Sequence, residues 1–414
     1  MTLQQAQCVK YKVDKIFSDF KWKKNFSVKM LILGEILILK QLILSLFLLL
    51  LLQPVFAQKK QSWPVRYVKK VFFDTTAKAE SQFLIYPIAA YSPETSFEFG
   101  VSSLFVRYAK GDTNNRLSEV NALAFYTLHN QYGGIIEHAL YSDKNRWFSL
   151  GKLKFQSFPL TFYGIGAESP NVKLANVDAF QFQIKERALR KIHRNFYGGL
   201  EVDLQHLGNV KFHDYDTTVS YVRPNGHEGS TNFGLGLGAL YDNRHNVLNV
   251  RHGFFSELAF LHYNPSLGSK YEFTSVFSDV RWFHPIRKRN VLALHAVGQF
   301  TSGNPPFNQL ALLGGESIMR GYYLGRFRDR NLLAAQAEYR MLPVSFAKRW
   351  GATVFASAGL VYNQLQHIEG DHVLVAGGAG IRFLLFPKKD VWIRADFALT
   401  NEGHGIYIFV GEAF

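Results

Sequence analysis

Leu313-Gly314-Gly315-Glu316-Ser317-Ile318-Met319-Arg320-Gly321-Tyr322 and, after a short basic loop, Ala337-Glu338-Tyr339-Arg340-Met341-Leu342-Pro343 are the stretches on which the reading of this chain turns. The first sets a glycine pair ahead of an arginine that stands between an apolar residue and a Gly-Tyr pair. The second alternates apolar and charged residues, the period-two signature of a strand with two unlike faces. Its charged face carries Glu338. A guanidinium on a glycine-bounded loop is sustained away from water only when paired, and its planar fork can grip a carboxylate bidentately. Glu338 is one candidate partner, and Asp396, in Arg394-Ala395-Asp396-Phe397, is the second.

The same alternation recurs outward from this region. Phe180, Phe182 and Ile184 oppose Gln181, Gln183 and Lys185; Leu200, Val202 and Leu204 oppose Glu201, Asp203 and Gln205. Val391, Ile393, Ala395, Phe397 and Leu399 oppose Arg394, Asp396 and Thr400. Sixteen such segments can be drawn between 83–90 and 405–414, most of them near ten residues or longer, where strands of soluble sandwiches average about five or six. An even number of long alternating strands fits an all-β fold, a transmembrane antiparallel β-barrel of about 16 strands, because lipid cannot satisfy an open sheet edge. On this pattern 208–230 and 301–331 are extracellular loops, and Ser142–Asn145 and Pro285–Arg289 are periplasmic turns. Trp147, Trp282, Trp350 and Trp392 supply interfacial girdles, with ordinary core packing as the competing reading. The alternate glycines Gly234, Gly236 and Gly238, and the group Gly377, Gly378 and Gly380, clear space for another backbone, as an inward-folded loop requires.

The N-terminal part reads as targeting. A basic, irregular stretch, 1–29, precedes Met30 as an upstream extension. Residues 30–57 carry an apolar run and then Val55-Phe56-Ala57, with small residues at the positions a signal peptidase reads, so this is a signal peptide; a membrane anchor is the alternative, since the run approaches the ~20 residues that span a bilayer. Residues 58–82 form a short periplasmic segment, too short for a domain, and 83–414 form the barrel. Cys8, the only cysteine, falls in the removed part, which excludes disulfides and Cys-ligated metals. The 47 basic and 32 acidic residues lose eight lysines and three acids with it, leaving a balance of +10. That excess suits lipopolysaccharide phosphates or an anionic cargo in a lumen; no nucleic-acid motif accompanies it. The histidines lack metal-ligand spacing, Gly315-Glu316-Ser317 is not a nucleophile elbow, and no cofactor or catalytic residue is expected.

The loop motif, the Asp242-x-Arg244 turn with Arg251-His252-Gly253-Phe254, and the aromatic terminal segment Gly405–Phe414 together resemble the BamA/TamA superfamily of bacterial surface antigen barrels. The resemblance covers most of 150–414 and is strongest from 241 onward. It implies that the loop with Gly314, Gly315, Arg320, Gly321 and Tyr322 folds into the lumen and docks on acidic groups of the wall. It implies that Tyr407, Phe409 and Phe414 form a C-terminal signal read by the outer-membrane insertion machinery. Where the family commonly has an aspartate before an Ala-Gly pair, this chain has Ser357, and Met319 replaces a branched aliphatic residue. The implied place is the outer membrane of a Gram-negative bacterium, among lipid and lipopolysaccharide. The implied role is protein assembly or translocation with polypeptide cargo, here without the periplasmic transport-associated modules. A passive pore or structural barrel is the alternative, and an outer-membrane lipase a more distant one.

Overall fold

The computed structural model describes residues 81–414 apart from 217, 245–248, 288 and 388–389; the targeting and upstream segments lie outside the described residues. Among the described residues nineteen strands follow in chain order. They begin with β1 (Gln82–Ser92), β2 (Ser96–Tyr108), β3 (Leu117–Thr127), β4 (Tyr132–Tyr141), β5 (Trp147–Ser157) and β6 (Leu160–Phe162). Next come β7 (Ala175–His193), β8 (Phe196–Asp214), β9 (Ser230–Asp242), β10 (Gly253–Tyr263), β11 (Phe273–Arg287) and β12 (Asn290–Gly303). The rest are β13 (Ala311–Leu313), β14 (Phe327–Asp329), β15 (Asn331–Met341), β16 (Trp350–Tyr362), β17 (Leu374–Phe386), β18 (Val391–Thr400) and β19 (Gly403–Val410).

Sixteen of these strands pair antiparallel with their neighbours and close back on β1, forming a barrel; β6 continues the line of β5 along β7, and β13–β14 is a separate hairpin inside loop 304–330. Turns at one end are mostly short and most of the loops at the other are long, which orients the long-loop end outward.

Burial is inverted relative to a soluble domain. Leu200, Leu237, Ile381 and Leu399 are more than half exposed on the outer face, while Arg187, Glu201, Asp203, Glu338, Arg340 and Asp396 are nearly inaccessible within. Strand alternation in lipid demands this arrangement, because the outward band must be apolar and the lumen can be polar.

Several sequence expectations change. The terminal strand does not run to Phe414: β19 stops at Val410, and Gly411, at φ +95°, turns the last residues into the lumen. Trp147, Trp282 and Trp350 stand exposed on the outer wall, but Trp392 is 1% exposed on the lumen side, its indole N–H donating to Asp390 Oδ1 at 2.9 Å. Pro285 is no turn; β11 continues past it to Arg287 with a register shift. The space over Gly234 and Gly238 is taken by neighbouring side chains rather than by a loop: the Tyr263 ring lies over Gly234 and the Arg187 stem over Gly238. Tyr263 stacks on Phe273 at 4.2 Å and donates to Asp203 at 2.6 Å, so the glycine makes room for an aromatic that ties three strands together.

Candidate functional site: a lumen ion network and the seam

Loop 304–330 leaves β12, forms the β13–β14 stem, and lays Ile318, Met319 and Tyr322 against lumen-facing Leu332, Ala334, Val361 and Ala376. Two glycines make the tip. Gly321 adopts φ +107°, and a Cβ there would meet Thr400 Cγ2 at 2.6 Å; at Gly314, φ +108°, a Cβ would meet the Tyr323 carbonyl oxygen at 2.5 Å. Met319 is fully buried at φ +54°, an uncommon conformation for a side-chain-bearing residue, and this aims the next residue at the wall.

That residue is Arg320. One Nη donates to Asp396 Oδ2 at 2.6 Å and the other to Glu338 Oε1. The sequence posed the two acids as alternatives with a bidentate grip on one; the guanidinium instead bridges both. Its Cζ lies 3.6 Å from the Phe355 ring centroid, and Nε has no partner among the described residues. Ser357 does not reach it, its hydroxyl facing the Ala376 carbonyl instead.

Each carboxylate is shared with other arginines. Glu338 also accepts from Arg340 Nε at 2.7 Å, and Asp396 from Arg382 at 2.5 Å and Arg394 at 2.9 Å. Arg382 and Arg340 continue to Glu412, at 2.9 and 3.9 Å, and Arg394 reaches Glu316 on the loop at 3.5 Å. Desolvated charges persist only with such near-complete pairing. Of these arginines only Arg340 and Arg394 share a quoted motif with a partner acid; Arg382 reaches Asp396 from the paired strand β17, and Glu412 joins from the inward-turned tail.

Further bonds hold the loop along its length. Gly321 N–H donates to Tyr407 Oη at 2.9 Å, Tyr322 Oη to Asn401 at 2.5 Å, and Arg326 makes two bonds of 2.7 Å to Glu402. Leu324 N–H donates to Glu94 in the β1–β2 turn at 2.8 Å. Burial pushes the Glu94 carboxyl up from its ordinary range, and this N–H pulls partly the other way. From the β5–β7 connection, Gly166 N–H donates to the Arg328 carbonyl at 2.9 Å, so the Phe162–Gly166 stretch braces the same loop.

The three terminal aromatics all turn inward. Tyr407 packs with Phe355 and Ala398, Phe409 lies under the Arg394 guanidinium at 5.0 Å, and Phe414 stacks on His295 at 4.7 Å across the lumen. Arg340 donates to the Phe414 carbonyl at 3.1 Å. The closure is weakly paired. Among the described residues β1 and β19 pair at Tyr91↔Ile408 alone, whereas β18 and β19 stay in register from Thr400↔Gly403 to Ile393↔Val410.

Residues 142–384, more than half of the chain, match the family model described as the Omp85 superfamily domain. The chain belongs to the Omp85 superfamily. This Omp85 barrel is similar in fold to BamA from Haemophilus ducreyi lacking POTRA domains 1–3, with a TM-score of 0.54 at 12% identity over 80% of this chain and 70% of that one. It is also similar to CdiB from Acinetobacter baumannii (TM-score 0.52, 12% identity, 83% and 66% covered) and CdiB from Escherichia coli (0.50, 11%, 84% and 70%). No curated protein matches the sequence. The fold and family make it an integral outer-membrane barrel. Among the described residues no three His, Cys, Asp or Glu side chains are grouped to hold a metal ion.

Proposed function

We propose that this Omp85 barrel inserts polypeptides into the outer membrane or passes them across it, with the β1–β19 seam as the lateral opening and the Arg320 loop as the brace that keeps the lumen in shape while the seam moves. The single observation that carries this reading is the seam itself, paired among the described residues only at Tyr91↔Ile408. An unpaired strand edge is a template for another strand. The loop supports it because its anchors, Glu338, Asp396 and Tyr407, lie on strands leading up to that edge. The insertion machinery is the partner proposed to read the terminal segment before the tail curls inward.

A passive pore is the second reading, favoured by an open space of about 610 Å³ beside the loop and one of about 410 Å³ among residues of β3, β4, β5, β7, β10 and β11. A lipase is disfavoured by geometry. Ser149, His138 and Glu186 do meet on the outer face, but Ser149 donates to Glu186, and the histidine nitrogen 3.2 Å from the serine is also the one 3.3 Å from the carboxylate. A working triad needs the acid on the opposite ring nitrogen.

The test is a disulfide between Tyr91→Cys and Ile408→Cys in a background lacking Cys8. In cells whose outer-membrane proteome depends on this chain, oxidation should deplete that proteome and reductant should restore it. A locked seam with an unchanged proteome refutes the lateral-opening reading, and steady conductance of the locked barrel in planar bilayers would then favour the pore.

A further inference from the structure

The folded loop divides the lumen, and the larger remaining cavity, about 610 Å³, lies between it and the β1–β8 side of the wall. That volume falls within the ~300–1,000 Å³ typical of small-molecule sites. Its lining is unusual for the inside of such a barrel, where polar side chains are the rule. Ile88, Leu123, Phe125, Val177, Leu207 and Leu312 face it. It also reaches Ala89 and Val410, outer-face residues of β1 and β19 that flank the unpaired stretch of the seam, so the cavity meets the surface where hydrocarbon lies.

Four polar groups on this lining lack the partners their chemistry calls for. Arg328, 4% exposed, donates to the carbonyls of Gly325 and Thr161 at 3.2 and 3.3 Å and forms no ion pair among the described residues. Among the described residues the Lys154 ammonium has only the Gln181 side-chain oxygen, at 3.3 Å. Glu98, 9% exposed, accepts no hydrogen bond from the described residues, and the buried Asn308 Oδ1 has no donor. Two cations therefore lack an anion and two acceptors lack a donor, around a mostly apolar space. Leaving such groups unmatched is costly.

We propose that this cavity binds a single-chain zwitterionic phospholipid that enters from the membrane through the seam. The acyl chain occupies the apolar space, the phosphate meets Arg328 and Lys154, and the ammonium meets Glu98 and Asn308. An extended polypeptide fits less well, because its backbone presents an N–H and a C=O at every residue and an apolar wall satisfies neither. The site stands apart from the assembly role, since a lipid-binding barrel with no client, or the reverse, is equally readable in the tests.

The experiment uses the full chain in non-ionic detergent with a lysophosphatidylethanolamine probe bearing a photoreactive group in its acyl chain, and crosslinked peptides are mapped by mass spectrometry. Crosslinks are expected on β1, β3 and β7 lumen positions, displaced by unlabelled probe. Leu123→Trp and Val177→Trp, each filling the cavity, should lower capture roughly tenfold, while Leu333→Trp on the outer wall should not. Glu98→Gln should erase the preference over lysophosphatidylglycerol. Heat-dependent gel mobility verifies that each variant folds, and either filling variant suffices. Crosslinks confined to the outer face and indifferent to both filling variants would overturn the proposal, as would displacement by an amphipathic peptide and not by unlabelled lipid.

Discussion

Arg320→Ala is the perturbation that most directly probes the loop. Stripping a buried carboxylate of its last partner costs about 3–5 kcal/mol, but neither acid here is left alone. Glu338 keeps Arg340, and Asp396 keeps Arg382 and Arg394. What disappears is two charge-assisted hydrogen bonds, the guanidinium over Phe355 and the packing of its stem. Those bonds are worth about 1.5–3 kcal/mol each in net terms and the ring contact about 1–2. Against this, removing one of four clustered arginines relieves repulsion. A net loss of about 2–4 kcal/mol follows, and at about 1.4 kcal/mol per decade this is a rise of roughly 30- to 1,000-fold in the fraction of molecules with the loop released. The assay is protease cleavage within 314–330 in intact cells, followed over time for wild type, Arg320→Ala and Arg320→Lys. Lysine should rescue only in part, since a point charge cannot bridge two carboxylates as the planar fork does. Equal protection in wild type and Arg320→Ala, with barrels of equal heat stability, would refute the claim that this arginine holds the loop.

Asp396→Asn should loosen the loop more than Glu338→Gln, because Asp396 serves three arginines and Glu338 two; the same protease assay ranks them, and the reverse order would contradict the network as drawn. Gly321→Val places a branched side chain at φ +107° against Thr400 and should open the loop while leaving outer-membrane yield intact. Phe414→Ala removes the ring stacked on His295 and under Arg340, so the folded barrel should lose its compact gel mobility at lower temperature, and a separate drop in insertion yield is expected if the machinery reads this residue. The mature barrel should migrate faster before boiling than after, since a closed hydrogen-bonded sheet resists detergent; identical mobility together with a helical circular-dichroism spectrum would exclude the fold.

The sequence by itself determined the wall, because alternation with a period of two needs no tertiary information. Fourteen of the sixteen drawn strands end within about three residues of the observed ones; the exceptions are the strand drawn as 193–207, where β8 runs on to Asp214, and the last, where β19 stops at Val410. The resemblance of the loop motif to the BamA/TamA superfamily pointed to Arg320, and alternation put Glu338 and Asp396 on charged strand faces as its candidate partners. Tertiary structure alone decided which acid Arg320 takes, because curvature brings Asp396 to the loop from the far end of the chain and makes the answer both. It alone added Phe355, Arg382 and Glu412, because strand register sets Phe355 opposite Glu338 and Arg382 beside Asp396, and the inward turn of the tail brings in Glu412. The turn at Gly411 that carries Phe414 across the lumen, and the single pair that remains at the seam, are likewise properties of closure: a strand pattern specifies which residues face inward, but not how far the last strand follows the first.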